Sequence, residues 1–205
     1  MQTKTILLIR HAKTQSNAEG RYCGIRSDEG LSEEGKKHTL DRRDAMISLL
    51  SKEPAFVVTG PMRRAKETAE LLFPKAALRT VKSLSETDFG RFEGKTYEEL
   101  SSDTEYQKWV DSGGTLPFPD GDARSDFIGR SVEGFKEALE AAGEEGEIVI
   151  VCHGGNIMAV MSSLTGGEYY DFRVDNLGGF RLRIRVEDER ISVSSYERIG
   201  GGDGA

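Results

Sequence analysis

One short stretch near the start of the chain constrains the fold more than any other. Ile6–Ile9 is a run of β-branched and leucine residues without polar alternation, which is typical of a strand covered on both faces in a parallel sheet. Arg10 and His11 follow it directly. Because open α/β sheets bind ligands outside the carboxyl ends of their strands, the run predicts a charged site at Arg10 and His11.

A second histidine stands in an equivalent place. The chain has three histidines, and His153 follows another apolar run, 148–152. Neighbouring strands of a sheet lie about 4.8 Å apart, so the imidazoles of His11 and His153 converge on one ligand if the two runs pair in parallel. A single histidine after a strand is more often a structural residue, but two of the three in this position favour a shared site.

Length and charge narrow the possible functions. The 205 residues suit one domain with a sizeable core, and no Pro- or Ser-rich linker divides them. A formal net charge of −7 disfavours general binding to nucleic acid or to an anionic membrane, because the overall field repels phosphate polymers. The first apolar run is far shorter than a signal peptide's apolar region or a membrane span of roughly 20 residues. We therefore expect a cytoplasmic protein, a monomer or homodimer, that needs a local arginine pocket to bind any phosphate ligand.

The segment after the first strand predicts a loop over the carboxyl end of the sheet. Residues 15–30 are rich in Gly, Ser, Asn, Asp and Arg, which is typical of loops. A helix with Ser32 as its N-cap is expected to follow and to run to about Ser51. The candidate ligand contacts in the loop are Asn17, Arg21 and Gly24.

Another corner of the sheet follows a strand predicted over 55–59. Pro61 is placed where helices accept proline, at their first position, and Arg63 and Arg64 then fall in the first turn. Helix amides and guanidinium groups together attract anions, but both arginines could equally be surface residues paired with nearby glutamates. They flank the apolar face symmetrically, so periodicity does not decide which one points inward, and at most one does.

The next corner is rich in carboxylates. Glu86, Asp88 and Glu93 are either solvated loop acids or include a proton donor for an alkoxide that leaves a phosphate site. The segment 96–121 reads as two short helices and a Gly/Pro loop, and it predicts a cap over the site. Its aromatic side chains suggest a ligand with some apolar or ring character; they are Tyr97, Tyr106, Trp109 and Phe118.

These elements predict an α/β fold in a single three-layer domain over residues 1–199. The sheet is mostly parallel with an antiparallel edge hairpin, helices lie on both faces, and the small cap covers the carboxyl ends of the strands. Helical spacing of apolar residues predicts one amphipathic helix that ends near Ala142. Apolar residues alternate with arginines over 180–186, which predicts the hairpin and a charged outer face that blocks edge-to-edge pairing. A flexible tail is expected over 200–205.

Taken in order, the motifs resemble those of the histidine phosphatase superfamily, which includes cofactor-dependent phosphoglycerate mutases and α-ribazole phosphatases. The family's arginine-histidine-glycine motif is similar to Arg10-His11-Ala12, with Thr14 and Asn17 at the family's spacing. Its Ser-Pro-Leu-x-Arg-Ala-x-Gln-Thr-Ala motif resembles residues 60–69, and this match selects Arg64 as the inward arginine.

Two further motifs complete the resemblance, which spans nearly the whole chain. Glu86 matches the acid of the family's glutamate-x-x-x-glycine motif, and His153-Gly154-Gly155 matches its second histidine motif. The resemblance implies a phosphomonoester hydrolase that acts on a small organic phosphate through a phosphohistidine, with no metal and no cofactor. The implied catalytic residues are His11, Glu86, His153, Arg10 and Arg64. The implied substrate-binding residues are Asn17, Arg21, Gly24 and Gly154.

The chain departs from the family's motifs in places, and the departures matter unequally. Ala12 replaces the usual glycine, which removes no chemistry. Asp122 stands where many members have the acid of a Pro-x-Gly-Glu-Ser motif, so its role is open. The segment 89–94 looks like the shorter phosphatase form of the motif that follows Glu86. The sequence is therefore most similar to the branch of α-ribazole and other small-molecule phosphatases.

Three alternatives remain at this point. A phosphoglycerate mutase would keep the same five catalytic residues and return the phosphoryl group to bound substrate. His11, His153 and Glu86 could instead form a two-histidine, one-carboxylate metal site, but the fixed cation of Arg10 repels a dication and suits a phosphate. A catalytically silent binding protein of the same fold is the weakest alternative, because all five catalytic positions are filled.

Overall fold

Six strands form one sheet in this computed structural model, which describes residues 2–187 and 190–200. The strands are β1 (Gln2–Arg10), β2 (Phe56–Thr59), β3 (Ala77–Thr80), β4 (Glu147–Cys152), β5 (Gly179–Glu187) and β6 (Arg190–Ile199). The helices are α1 (Gln15–Ala18), α2 (Glu33–Ile47), α3 (Arg63–Leu72), α4 (Tyr97–Leu100), α5 (Thr104–Asp111), α6 (Arg124–Ala142) and α7 (Gly154–Thr165). Their arrangement confirms the predicted three-layer α/β domain.

The sheet has the order β3-β2-β4-β1-β5-β6, which places the two apolar runs side by side. β1 pairs with β4 in parallel, with Ile6 opposite Ile148 and Arg10 opposite Cys152. Alternate side chains of both strands enter two separate apolar clusters, one on each face of the sheet. Burial on both faces explains why neither run alternates with polar residues, and it confirms the central pairing on which the predicted site depends.

The antiparallel hairpin is also confirmed. β5 pairs antiparallel with β1 and with β6, and its ladder with β6 has an irregularity between Arg183 and Ile184. Phe180, Leu182 and Ile184 face the core, whereas the intervening arginines face outward. An antiparallel edge with one solvated face requires this alternation of apolar and charged residues.

Two predicted boundaries are wrong. α2 ends at Ile47 rather than near Ser51. The amides of Leu49 and Leu50 donate to the carbonyls three residues earlier instead of four, and this tighter hydrogen bonding terminates the α-helix. α3 begins at Arg63 with Met62 as its N-cap, so Pro61 precedes the helix instead of occupying its first position. The predicted tail 200–205 lies outside the described residues, apart from Gly200.

The cap is built from α4, α5 and the loops around them. Its core is a third apolar cluster, formed by Phe92, Leu100 and Tyr106 and covered by neighbouring aromatic rings. The rings of Phe92 and Tyr106 meet edge to face with centroids 5.1 Å apart, a favourable geometry for aromatic pairs. The cap therefore has its own small core. Within the described residues, no helix is both long enough and apolar enough to cross a membrane.

Close packing of α2 against the chain after β1 supports the backbone next to His11. The amide and hydroxyl of Ser32 both donate to the Lys13 carbonyl, at 3.0 and 3.1 Å. A Cβ on Gly35, in the first turn of α2, would lie 2.0 Å from the same carbonyl oxygen. Only glycine fits at this position unless the loop moves.

We expect Gly35→Ala to lower the free energy of unfolding by about 1–3 kcal/mol, the usual cost of overpacking. The matched control is Gly129→Ala, since Gly129 is also helical and its added Cβ would meet nothing within 4 Å. That control should raise stability by about 0.5–1 kcal/mol through helix propensity. Urea denaturation measures both, and a Gly35→Ala protein as stable as the wild type would contradict the packing argument.

Candidate active site

The ends of β1 and β4 bring the two predicted histidines into contact. The His11 amide donates to the Cys152 carbonyl at 2.9 Å, continuing the parallel ladder one residue beyond the strand. The rings of His11 and His153 meet edge to face, with centroids 5.1 Å apart and planes inclined at 64°. The parallel pairing of two buried strands is thus sufficient to place both imidazoles in one site.

His11 is fixed in one neutral tautomer. It is 3% exposed, and its Nδ1 lies 2.7 Å from the Ala12 carbonyl oxygen, which only accepts hydrogen bonds. Burial, with help from the charges of Arg64 and Arg10, holds the pKa of His11 well below its ordinary value, so the ring is neutral near pH 7. The proton therefore sits on Nδ1, and Nε2 keeps a free lone pair.

His153 is the N-cap residue of α7 and is completely buried. Burial, followed by the charges of Arg64, His11 and Arg10, holds its pKa well below the ordinary value. Neither ring nitrogen has a hydrogen-bond partner within the described part of the chain. Unpaired polar atoms in a buried site are costly, so the ring is available to bind a ligand atom.

Two guanidinium groups lie beside the histidines without acidic partners. Arg10 donates from Nη1 to the Val174 carbonyl at 2.8 Å, and Arg64 donates to the carbonyls of Cys23, Gly24 and Ser27. The Nε of each is buried and unpartnered, and neither forms an ion pair with a carboxylate of residues 2–187 or 190–200. Buried positive charge without a counterion is a binding site for an anion.

The orientation of the arginine pair on α3 is now defined. Arg64 is 0% exposed, whereas the Arg63 side chain is 64% exposed and pairs with Glu67 at 2.6 Å. The prediction that at most one points inward is confirmed, and Arg64 is that one. The alternative in which both lie on the surface is wrong for Arg64.

Glu86 is the acid nearest to these groups. It is 7% exposed, and its Oε2 lies 3.9 Å from His153 Nδ1. Its Oε1 accepts from the Thr87 amide at 2.9 Å. Burial raises the pKa of Glu86, and the Thr87 amide and the charges of Arg64 and Arg10 offset only part of that rise. A Cβ on Gly155 would lie 2.6 Å from Glu86 Oε1, so the glycine makes room for this carboxyl.

Asp122 and Arg130 hold the backbone that carries Glu86. Arg130 donates to the Ser85 carbonyl at 3.0 Å and to Asp122 Oδ2 at 2.7 Å. The Asp88 amide donates to the same Asp122 oxygen at 2.9 Å. The residue whose role the sequence left open thus joins α6 to both sides of the Glu86 loop.

The other two acids of this corner have different partners. Asp88 pairs with Arg26 at 2.7 Å, and Glu93 Oε1 accepts from the Gly24 amide at 2.7 Å. Neither lines the cavity that opens beside His11. Of the three carboxylates in the predicted corner, Glu86 alone faces that cavity.

The cavity has a volume of about 380 Å³ and is bounded by the sheet edge, α7 and the cap. Six of the nine predicted site residues line it: Arg10, His11, Asn17, Arg21, Glu86 and Gly154. The other three lie behind this surface. His153 contacts the ring of His11, Arg64 lies beneath the histidines, and Gly24 packs so tightly that a Cβ would be 2.2 Å from the Thr87 carbonyl oxygen.

Two of the lining residues have structural partners of their own. Asn17 closes a capping box with Thr14, and its Oδ1 accepts from the side chain of Asn176 at 3.0 Å. Arg21 pairs with Glu19 at 2.7 Å and with Glu99 at 2.9 Å. Asn176, which the sequence analysis missed, also donates to the His11 carbonyl, so it joins the loop before β5 to both elements of the site.

The cap aromatics divide into two groups. Trp109 and Phe118 line the cavity as predicted, but Tyr106 is buried in the cap core and Tyr97 is 62% exposed. Several further wall residues could not be predicted from the sequence: Phe89 lies in the Glu86 motif without being one of its defining residues, and the others come from distant segments. These wall residues are Tyr22, Phe89, Arg124, Phe127, Met158, Tyr169, Tyr170 and Arg173.

The metal-site alternative gains no support from the geometry. In the described ranges, 2–187 and 190–200, no group of three or more His, Cys, Asp or Glu side chains is arranged to hold a metal ion. Both cysteines are free and buried, and Cys152 belongs to the core as expected. Burial raises the pKa of Cys23 to about 12, so this thiol at the cavity wall stays protonated.

In this α/β domain a neutral histidine lies beside two guanidinium groups that have no carboxylate partner within the described residues, an arrangement that can hold an anion against a nucleophile. The family description "Histidine phosphatase superfamily (branch 1)" matches residues 6–196. The chain belongs to this superfamily, as the sequence motifs predict. The same evidence, with relatives that are named as phosphatases, makes it a phosphoric monoester hydrolase.

Two curated relatives cover most of the chain. Glucosyl-3-phosphoglycerate phosphatase of Mycolicibacterium vanbaalenii is 28% identical over 100% of this chain and 90% of its own length. Phosphoserine phosphatase 1 of Hydrogenobacter thermophilus is 28% identical over 83% of this chain and 82% of its own. Among solved structures, a putative α-ribazole-5′-P phosphatase from Escherichia coli has a TM-score of 0.76, with 23% identity over 93% of this chain and 94% of that one. The last comparison supports the fold.

We expect Arg64→Ala to weaken inhibition by phosphate or vanadate far more than Arg63→Ala does. A lost buried charge-assisted hydrogen bond costs about 1.5–3 kcal/mol, which corresponds to roughly 10- to 150-fold in the inhibition constant. Arg63, exposed and paired with Glu67, is the matched control on the same helix turn. The inhibition constants are measured at one pH for folded variants with similar melting temperatures. Equal effects of the two substitutions would mean that Arg64 does not contact the anion.

Proposed function

We propose that the protein hydrolyses small organic phosphate monoesters by transferring the phosphoryl group first to Nε2 of His11 and then to water. One observation carries the proposal: the Nδ1 proton of His11 is held by the Ala12 carbonyl while burial keeps the ring neutral. A neutral imidazole with a free Nε2 is an activated nucleophile. Its position beside unpaired guanidinium groups suits attack on phosphorus.

The phosphate would be bound by nitrogen atoms that have no hydrogen-bond partner among the described residues, together with the first amides of a helix. Arg10 and Arg64 offer their unpaired Nε donors, and His153 offers a ring nitrogen. The first amides of α7, at Gly154 and Gly155, carry the partial positive charge of a helix N-terminus. In a loose transition state, charge spreads over the equatorial phosphoryl oxygens, where such donors stabilise it most.

Glu86 is proposed to transfer the proton in both steps. Its raised pKa keeps part of the carboxyl protonated above the ordinary range, as a donor to the leaving oxygen requires. After the alcohol departs, the resulting carboxylate accepts a proton from water as the water attacks phospho-His11. The acid of the first step is therefore the base of the second.

The size of the cavity suits a small ester with an organic group beyond the phosphate. Its apolar wall includes Trp109, Phe118 and Tyr169, so the alcohol part is proposed to have ring or apolar character. The names of the relatives suggest phosphoserine and a glycosylated phosphoglycerate as trial substrates. Turnover that depends on bisphosphoglycerate would instead indicate the mutase alternative.

Localisation, oligomeric state and cofactor requirement form a second part of the proposal. We propose a cytoplasmic monomer or homodimer whose catalytic domain occupies residues 1–199, acting without metal or cofactor. The net charge of −7 supports a small-molecule partner rather than a polyanion. Chelator-insensitive turnover tests the absence of a metal requirement, and sedimentation measures the oligomeric state.

We expect His11→Ala to abolish turnover, because the nucleophile is removed. Wild-type protein mixed with substrate and quenched in base should carry an acid-labile phosphoryl group on His11, identified by peptide mass mapping. The matched control is His38→Ala, since His38 lies on α2 and does not line the cavity. A label on another residue, or turnover that survives in His11→Ala, would refute the mechanism.

We expect Glu86→Gln to slow phosphorylation of His11 unequally for different esters. An alkyl phosphate has a poor leaving group and should lose about 10²–10⁴-fold, the range for a positioned acid. p-Nitrophenyl phosphate, whose phenolate leaves without a proton, should lose much less. Pre-steady-state measurements are required because the variant also lacks the base for hydrolysis of phospho-His11.

The pH dependence provides a second reading of the same variant. Since the protonated form of Glu86 is the donor, wild-type phosphorylation by an alkyl ester should fall as pH rises through the raised pKa of Glu86, above its ordinary 4.5. Glu86→Gln should lack this alkaline fall. Neither protein should lose rate as pH falls through 6.5, because the pKa of His11 is well below that value. If Glu86→Gln slowed phosphorylation by the alkyl ester and by p-nitrophenyl phosphate equally, the proton transfer would belong to another group.

A further inference from the structure

Two arginines that the proposed chemistry does not use also line the cavity. They are Arg124, the first residue of α6, and Arg173, which follows the helical turn Tyr169–Phe172. Neither forms an ion pair with a carboxylate within the described part of the chain. Glu86 is the sole acid among the residues that line the cavity, and it lies beside the histidines.

The guanidinium of Arg124 is held in place without being neutralised. Its Nη2 donates to the Gly113 carbonyl at 2.6 Å and to the Tyr170 hydroxyl at 2.8 Å. The group also lies over the rings of Tyr169 and Tyr170, 5.2 and 5.0 Å from their centroids. These contacts fix its orientation, and a planar guanidinium has further N–H donors that remain for a ligand.

A glycine makes this arrangement possible. Gly114 has φ of +67°, and a Cβ there would lie 2.7 Å from Arg124 Nη2, 2.7 Å from the Tyr170 hydroxyl and 2.9 Å from the Trp109 ring. The cap and the segment before β5 therefore pack directly against Arg124 at the start of α6. Such packing fixes a charged group at the cavity wall.

The other arginines of the cavity are already accounted for. Arg21 is neutralised by Glu19 and Glu99, and Arg10 is assigned to the phosphate. The charge of Arg173 is close enough to Arg10 to help lower the pKa of that guanidinium. The negative charge of Asp175 also acts on Arg10, from the same segment as Arg173. A phosphate dianion would balance Arg10 and Arg64, which leaves Arg124, without a carboxylate ion pair within the described residues, as the cavity cation still to be balanced.

We propose that Arg124, assisted by Arg173, binds a second anionic group of the substrate, so that the enzyme prefers phosphate monoesters whose alcohol part carries a carboxylate or a second phosphate and no ammonium group. The inference rests on the proposed function. An anion at Arg124 would form charge-assisted hydrogen bonds in a partly desolvated wall, where they are strong. An ammonium group would meet two cations and find no free carboxylate, because Glu86 is committed to the leaving oxygen.

Four esters with the same three-carbon chain test the proposal. Propyl phosphate has no second charge, 3-phosphooxypropanoate adds a carboxylate, and propane-1,3-diol bisphosphate adds a phosphate. O-Phosphoserine adds an ammonium group to the carboxylate. We expect kcat/KM of the wild type to be about 10- to 100-fold higher for the carboxylate and bisphosphate esters than for propyl phosphate, with the difference mainly in KM. O-Phosphoserine should fall about 10-fold or more below 3-phosphooxypropanoate.

Variants assign the preference to Arg124. The ratio of kcat/KM between the carboxylate ester and propyl phosphate should fall to near one in Arg124→Gln. It should be partly retained in Arg124→Lys, which keeps the positive charge but loses the planar group that can donate two parallel hydrogen bonds. Each variant is its own reference, so a general loss of activity does not affect the ratio. Arg181→Gln, on the exposed side of β5, is the control and should keep the wild-type ratio.

The outcomes separate this inference from the function on which it rests. If none of the esters is hydrolysed and no phospho-His11 forms, the proposed function is wrong. If the kcat/KM for propyl phosphate equals that for the doubly charged esters, or if Arg124→Gln keeps the wild-type ratio, the second anion site is overturned. An O-phosphoserine rate equal to or above that of 3-phosphooxypropanoate overturns the exclusion of ammonium.

Discussion

The site depends on one buried charge, the guanidinium of Arg64, which has no acidic partner within the described residues. Taking a guanidinium out of water costs several kcal/mol unless other groups replace the lost hydration. Here the carbonyls of Cys23, Gly24 and Ser27 replace part of it, and the loop wraps around the side chain to supply them. Carbonyl dipoles do not cancel the full charge, so the proposed phosphate ligand would stabilise the site by supplying a counterion.

Burial and the same charge together set the ionisation of the neighbouring groups. Burial, with the charge of Arg64 as the next cause, keeps the pKa values of His11 and His153 low, and the Thr87 amide and Arg64 limit the rise that burial imposes on the pKa of Glu86. The histidines are therefore neutral under conditions in which part of the Glu86 carboxyl retains its proton. When the surroundings lower the pKa of one titratable group and raise the pKa of another, the first can act as a base and the second as an acid within one site.

The fold and the cap contribute different kinds of precision. The parallel pairing of β1 and β4 fixes the histidines through backbone hydrogen bonds, which leave little freedom. The cap is instead held by its own aromatic cluster and by Arg124, whose contacts reach Gly113 and Tyr170. The candidate catalytic residues other than Glu86 thus lie at strand ends and helix starts, whereas Glu86 and much of the cavity wall lie in loops.

The sequence by itself determined the two buried strands that end at histidines and the edge hairpin, because continuous and alternating apolar runs report directly on burial. The tertiary structure showed that the two strands are parallel neighbours. The motifs also pointed to Arg64 and Glu86, although periodicity alone did not distinguish Arg64 from Arg63. Only the tertiary structure decided what surrounds these groups. It showed that Arg64 has no acidic partner in the part of the chain that is described, that Asp122 binds Arg130 and the Asp88 amide, and that Arg124 meets two tyrosines at the cavity wall. Those contacts join segments far apart in the chain, and no local pattern of hydrophobicity or turn residues encodes which distant side chains will meet.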